Sequence, residues 1–279
     1  MSDVYLNGKF VPLEQACVPV LDRGFIFGDG VYEVIPVYDH RPLALDRHLH
    51  RLENSLKGVR ITPPLSLATW QSLVKELVER EPSAQQSVYI QVTRGVAPRD
   101  HTFPPHATPT VFAMAKPLSA PPPEWIREGI STITHADFRW LKCDLKTTAL
   151  LANVLLRQMA VDAGAVECLL IRDGYLTEGA ASNVLVVLEG QLLAPPRNHL
   201  LLPGITYELV LELAAKKGIP CQERPVTEAE LRRADEVMMT SSTREIVPIT
   251  RIDGIPVGSG RPGSVTLRLL DWYQEYKRS

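Results

Sequence analysis

The sequence has no apolar run long enough to cross a bilayer, which takes about 20 residues. It also lacks the basic and apolar regions of a secretory leader at its N-terminus, so a cytoplasmic protein without a membrane span is expected. Excess charge of either sign is missing as well. Lys and Arg number 30 against 32 Asp and Glu, for a formal net charge of -2. Basic residues are scattered, so nothing argues for nucleic acid or an anionic membrane as partner. Only 4 cysteines occur (Cys17, Cys143, Cys168 and Cys221), far apart and with no C-x-x-C pair. Reduced thiols are the expectation, and a zinc site is not. Gly28 and Gly30 resemble a phosphate loop at first sight, but no third glycine follows at the dinucleotide spacing. No Gly-Lys-Ser/Thr occurs either, and the run precedes a strand rather than following one.

What is present is an ordinary globular composition, 45% hydrophobic and 22% charged over 279 residues, long enough for two domains. Val4 to Val11 is an apolar run broken by Asn7-Gly8, a hairpin signal. Val31 to Tyr38 predicts a strand, and the glycines leading into Tyr32 allow a tight approach of the backbone to something, although on the residues alone a plain turn is favoured. Leu45, Leu49, Leu52 and Leu56 predict a helix that carries His48, Arg51 and Ser55 on a neighbouring face. A second amphipathic helix spans Ser66 to Arg80. Strands are predicted over Val88 to Gly95 and Thr110 to Lys116, joined by a loop rich in proline and charge. Pro117 to Pro123 is the clearest linker, because proline continues neither helix nor strand. The expected organisation is a small α/β domain over 1–117, a linker over 118–123 and a large domain over 124–279 carrying the key lysine.

Arg139 to Asn153 organises the second half. Leu141, Cys143 and Leu145 alternate with Lys142, Asp144 and Lys146, the period of a half-buried strand. From Thr147 the spacing of Leu150, Leu151, Val154, Leu155 and Gln158 predicts an amphipathic helix that buries that stripe. Lys146 then stands at the junction, where its amine could be desolvated as a Schiff-base lysine requires. A surface lysine at a turn is the commoner arrangement for any one lysine, and the residues alone leave both open.

Other candidates are weighed in the same way. Arg51 could anchor a phosphate or carboxylate through its fork of donors, or be a salt-bridged surface arginine. Arg99 and His101, two apart in an extended loop, point the same way and could grip a carboxylate. Glu178 sits among small residues and could pair with a ring nitrogen or face solvent. Gly204, Ile205 and Thr206 open a helix whose free amides suit a phosphate, although Thr206 is equally an ordinary cap. The hydroxyl cluster Thr240 to Thr243 could be solvated or offer a further phosphate cradle.

Seven segments in order resemble the fold-type IV pyridoxal-phosphate enzymes, and within them the bacterial D-amino-acid aminotransferases. These are Asp22 to Glu33, His48 to Leu52, Val92 to His101, Arg139 to Lys146, Thr177 to Gly179, Gly204 to Thr206 and Ser241 to Thr243. The resemblance implies an α+β, two-domain fold with mixed and antiparallel sheets and flanking helices, the domains enclosing pyridoxal 5'-phosphate. It implies that Lys146 forms the Schiff base and shuttles the proton, while Glu178 pairs with the ring nitrogen. Arg51, Ile205, Thr206 and Ser242 would hold the phosphate, Leu202 would pack on the ring, and Tyr32, Arg99 and His101 would trap the substrate carboxylate. Two departures are small: Ser242 stands where a relative can carry Thr, and Ala181 where some carry Ser. The implied activity is ping-pong transfer of an amino group from a D-amino acid of the D-alanine type to a 2-oxo acid such as pyruvate or 2-oxoglutarate. The implied assembly is a homodimer in which Arg99 and His101 can serve the neighbouring subunit's site. Rival readings are a branched-chain L-aminotransferase, an aminodeoxychorismate lyase, or a binding protein that kept the fold without the catalysis.

Overall fold

The computed structural model describes residues 3–278. The chain divides into two compact units. The first runs through Ser119 and also takes in Leu145–Leu150; the second comprises Ala120–Asp144 and the chain from Leu151 on. The division after Ser119 lies within the proline-rich stretch read as a linker. Lys146, expected with the C-terminal domain, belongs instead to the first unit.

The first unit is built on a six-stranded sheet in the order Lys9–Pro12, Asp3–Leu6, Thr110–Pro117, Gln85–Thr93, Gly30–Tyr38, Arg41–Pro42. Its longest pairing, Gly30–Tyr38 against Gln85–Thr93, is antiparallel over nine registered pairs from Gly30↔Thr93 to Tyr38↔Gln85. Asn7 and Gly8 both take positive φ, 48° and 93°, as a two-residue hairpin turn demands. Helix Leu45–Gly58 covers the sheet, burying the predicted stripe of Leu49, Leu52 and Leu56 against Ile35, Val88 and Ile90. Helix Leu67–Arg80 adds Trp70, Val74 and Leu77 to the same core, and the side chain of Ser66 caps it by accepting from the Thr69 amide.

The second unit carries a ten-stranded mixed sheet. Its path is Cys221–Glu223, Gln191–Ala194, Asn183–Leu188, Glu236–Ser241, Glu245–Ile252, Ile130–Ala136, Glu167–Arg172, Tyr175–Gly179, Val226–Thr227, with Ile255–Pro256 pairing beside Glu245–Ile252. The centre is parallel, Ile130–Ala136 lying between Glu245–Ile252 and Glu167–Arg172. Val184, Val186, Val237, Met239, Val247 and Ile249 fill its core. Among the described residues no helix is long and apolar enough to cross a membrane.

Two expectations for the central stretch fail. Leu141 to Lys146 is not a strand, and the helix begins at Leu151 rather than Thr147. Residues 145–150 form an extended segment instead, with backbone groups taken up by the first unit's sheet. The stripe assigned to the core is also the wrong one. Helix Leu151–Asp162 buries Leu156 and Ala160, while Leu151, Val154, Leu155 and Met159 are 72%, 59%, 47% and 37% exposed. Hydrophobic spacing reports that a face wants covering, but not which surface covers it.

Candidate functional site

In the first unit the geometry begins with backbone. Lys146 is gripped on both sides of its peptide: its amide donates to Ser55 Oγ at 3.1 Å and its carbonyl accepts from the Tyr32 amide at 2.9 Å. Val31 bridges Thr147 in antiparallel fashion, and the Thr148 amide donates to the Gly30 carbonyl at 3.0 Å. The lysine segment thus extends the edge of strand Gly30–Tyr38. This is the tight approach that the glycines allow. Gly28 takes φ +65°, and a Cβ there would lie 3.1 Å from Ala149 Cα. At Gly30 it would stand 2.8 Å from the Val92 carbonyl oxygen. The outcome is a half-buried Lys146 whose Nζ lies 4.2 Å from the centre of the Tyr32 ring.

Behind Tyr32 stands a buried ionic group. Glu33 has no exposed surface; its carboxylate accepts from Arg51 Nε at 2.7 Å, Arg51 Nη2 at 2.9 Å and His48 at 2.8 Å. Burial alone would raise the Glu33 carboxyl, but the Arg51 charge and the His48 hydrogen bond outweigh it and hold the group far below the usual range. Burial also lowers His48, so at neutral pH its neutral ring donates from Nδ1 to Glu33. Arg51, singled out as an anion anchor, is therefore oriented by Glu33, which pattern reasoning missed. Glu33 carried a signal: an acid in an otherwise apolar strand, facing a helix with Arg and His on one side.

Arg99 and His101 do come together, though not through an extended segment. Asp100 Oδ1 accepts from the Thr102 amide at 2.9 Å, making a tight turn. Both side chains are exposed, and both meet one ring: Arg99 Cζ lies 5.4 Å and the His101 ring 5.3 Å from the centre of Phe27.

In the second unit Glu178 is buried. Arg139 donates to its Oε1, and Oε2 accepts from Asn183 Nδ2 at 3.0 Å and from the Leu202 amide at 3.2 Å. Arg139 is shared with the fully buried Asp137 side chain at 2.9 Å, which also meets Arg172 at 3.1 Å. Burial pushes the Glu178 carboxyl up to about 7 despite the Arg139 charge beside it. Asn183 also donates to the Leu202 carbonyl at 2.8 Å, so Leu202 is tied to Glu178 through both of its backbone groups.

The helix Ile205–Lys216 starts beside the same asparagine. Its first residue follows Gly204, and no side chain caps it. A Cβ on Gly204 would lie 2.0 Å from Asn183 Oδ1, so only glycine lets the helix start this close. The Ile205 and Thr206 amides thereby open an uncapped, positive helix end. Across the sheet Asn183 is registered with Thr240, which puts both side chains on one face. Thr240 Oγ1 is buried and has no hydrogen-bond partner among the described residues. Ser241 and Ser242 follow in a turn in which Ser241 Oγ accepts from the Arg244 amide at 3.2 Å. Glu178, Leu202, Ile205 and Thr206 thus gather around Asn183, with Ser242 two residues beyond Thr240. Arg139 and Asn183 were not singled out and Thr240 entered only as one member of a hydroxyl cluster, because nothing in a string marks which polar residues face one another across a sheet. The two buried thiols are poor nucleophiles by comparison: burial raises Cys143 to about 11 and Cys168 to about 12.

Known proteins of this shape carry amino-group chemistry. Residues 30–252 match the family model described as amino-transferase class IV. The chain is 43% identical over 263 residues to a D-alanine aminotransferase of Bacillus licheniformis, covering 94% of this chain and 93% of the relative. It is 37% identical to the D-alanine aminotransferase of Staphylococcus epidermidis over 280 residues, covering 100% and 99%. Among solved structures, a branched-chain amino acid aminotransferase from T.th., complexed with N-(5'-phosphopyridoxyl)-L-glutamate, superposes with a TM-score of 0.92 at 29% identity, covering 99% of this chain and 94% of that one. With a family model spanning most of its length and a full-length relative above 40% identity, this chain belongs to the class IV aminotransferases.

Proposed function

We propose that the protein transfers the amino group of a D-amino acid of the D-alanine type to a 2-oxo acid, with pyridoxal 5'-phosphate as cofactor. The observation that carries the reading is Lys146: one half-buried amine, fixed by hydrogen bonds on both sides of its backbone and held 4.2 Å from the Tyr32 ring. Full-length likeness to D-alanine aminotransferases supports the substrate class.

The residues present fit the cofactor. Glu178 is a buried carboxylate whose charge is under-stabilised even with Arg139 beside it, so a protonated ring nitrogen next to it would relieve it. The uncapped helix start at Ile205 and Thr206, the orphan Thr240 hydroxyl and Ser242 form a donor set suited to a phosphate. In the first unit Arg51, fixed in orientation by Glu33, carries a guanidinium of the kind that binds phosphate. Leu202 offers an apolar surface next to Glu178 for the ring.

When bound, pyridoxal phosphate supplies a carbonyl carbon that takes up the amino group and a ring that accepts electrons from the α-carbon. Lys146 would hold the cofactor through Nζ, and its amine would serve as the base that takes the substrate α-proton and gives it back. Glu178 keeps the ring nitrogen protonated. Arg99 and His101 hold the substrate carboxylate, and because Lys146 acts from one fixed side, their position selects the enantiomer. Release of one 2-oxo acid and entry of a second completes a ping-pong cycle.

The working form is a homodimer. The exposed Leu151, Val154, Leu155 and Met159 lie at i, i+3, i+4 and i+8, a continuous apolar stripe on one helix that a second copy would cover. A cytoplasmic setting agrees with four free thiols.

Likeness of the fold to a branched-chain aminotransferase favours L-leucine as the second reading. A visible absorption spectrum of the purified protein separates the two. Loss of the cofactor band with D-alanine but not L-leucine supports the D-amino-acid assignment, and the reverse response selects the branched-chain one. A protein that stays colourless with added pyridoxal phosphate would be a binding protein on this fold.

A further inference from the structure

The loop that presents Arg99 and His101 is held from outside as well as by its own Asp100–Thr102 turn. Arg23, only 4% exposed, reaches it from the short helix Arg23–Phe27. Arg23 Nη1 donates to the carbonyls of Asp100 and Thr102 at 2.5 and 3.3 Å, the two residues that flank His101. Its Nε donates to Asp29 at 2.7 Å. The backbone repeats the link, the Arg23 amide donating to the Gly95 carbonyl at 2.9 Å and the Ala97 amide to the Leu21 carbonyl at 3.3 Å. Arg94 donates to both oxygens of Asp29 at 2.8 and 2.9 Å and lies over Phe103, 3.8 Å from the ring centre. Arg23 also lies over Phe27, 4.9 Å from the ring that Arg99 and His101 share.

We propose that Arg23 is a positioning residue for substrate recognition, joining Asp29 to the loop carbonyls on either side of His101 so that Arg99 and His101 are held against Phe27 in one carboxylate-binding arrangement. The role rests on the reading of Arg99 and His101 as the carboxylate trap. It follows from what an exposed loop requires. An exposed arginine and an exposed histidine each have many rotamers, so they bind a carboxylate well only if their backbone is already fixed. The guanidinium is suited to this task because its planar donors address a carboxylate and two carbonyls at once. A lysine ammonium keeps the charge without that fixed fork. Phe27 completes the device as a flat surface against which both side chains rest.

The test compares Arg23→Lys, Phe27→Leu, Arg99→Ala and the Arg23→Lys/Arg99→Ala pair in steady-state kinetics, with the cofactor spectrum of each. Arg23→Lys is expected to raise KM for D-alanine between about 10- and 100-fold while kcat changes less than about threefold, with the spectrum unchanged. Phe27→Leu, which keeps the bulk and loses the ring face, raises KM about threefold and carries the test if Arg23→Lys does not fold. In the double variant the Arg23 effect disappears, because a trap without Arg99 has little left to position. Arg23→Lys acting equally on kcat and on cofactor retention would show a merely structural residue and overturn the proposal, as would additive effects in the double variant. If Arg99→Ala alone leaves KM for D-alanine intact, the trap reading itself fails and this role with it. If Arg99→Ala raises KM while Arg23→Lys and Phe27→Leu do not, only the positioning role fails.

Discussion

Glu33→Gln isolates the buried ion group behind Tyr32. The wild-type carboxylate is saturated: Oε1 accepts from Arg51 Nε, and Oε2 from Arg51 Nη2, His48 Nδ1 and the Val34 amide. A glutamine can leave its oxygen at the Oε2 position and keep three of these bonds. Its NH2 then faces the Arg51 Nε–H, donor against donor, and the buried guanidinium loses its counter-charge. Removing one partner of a buried pair costs about 3–5 kcal/mol, which is the loss expected at pH 7. The pH dependence distinguishes charge from packing. Glu33 is depressed in the folded protein, so its contribution is complete above the ordinary glutamate value of 4.5 and is lost as pH falls toward the folded value. Wild type should therefore lose its advantage over the variant at up to about 1.4 kcal/mol per pH unit below that point. Urea unfolding of both cofactor-free proteins from pH 7 to pH 3 measures the gap, and amide exchange over Leu45–Gly58 localises it. A difference under 1 kcal/mol at pH 7, or one that stays constant as pH falls, would refute the electrostatic account.

Glu178 predicts the opposite slope. Its folded carboxyl is raised to about 7, so the neutral form's contribution is complete below 4.5 and is lost as pH rises toward 7. Cofactor-free wild type should lose about 3 kcal/mol over that range relative to Glu178→Gln in denaturant titrations, while the variant's kcat falls about 100-fold or more. Gly28→Ala forces a left-handed φ on a residue with a Cβ and presses on Ala149. We expect about 1 kcal/mol of destabilisation and roughly tenfold lower kcat through displacement of Lys146, with KM little changed. Gly204→Ala drives Asn183 Oδ1 from the helix start and should weaken retention of pyridoxal phosphate at least tenfold by equilibrium dialysis, with the secondary structure intact by circular dichroism. Leu151→Glu with Leu155→Glu should convert the proposed dimer to a monomer in sedimentation velocity; an unchanged mass would remove that helix from the proposed interface.

Much was settled by the sequence itself. Periodicity located helices Leu45–Gly58 and Leu67–Arg80 and strands Gly30–Tyr38, Gln85–Thr93 and Thr110–Pro117 to within a few residues, because each buries a stripe that local spacing reveals. Asn7-Gly8 marked a hairpin because few residues accept positive φ. Lys146, Glu178 and the helix start at Gly204 were candidates among alternatives from residue type alone, and the roles given to them came from the family resemblance. The tertiary structure decided the rest. Leu141 to Lys146 alternates like a strand, yet residues 145–150 are recruited as an edge extension by strand Gly30–Tyr38, over 100 residues away, because Gly28 and Gly30 leave room for it. Local pattern carries no information about such a partner. Nor does it show that Arg51 faces Glu33, that Thr240 shares a face with Asn183, or that Arg23 braces the loop of Arg99 and His101. A residue's type sets what it can bind, and its local period sets which way it faces. Which group meets it there depends on long-range pairing, since burial of each charge is tolerable only where the fold brings its partner.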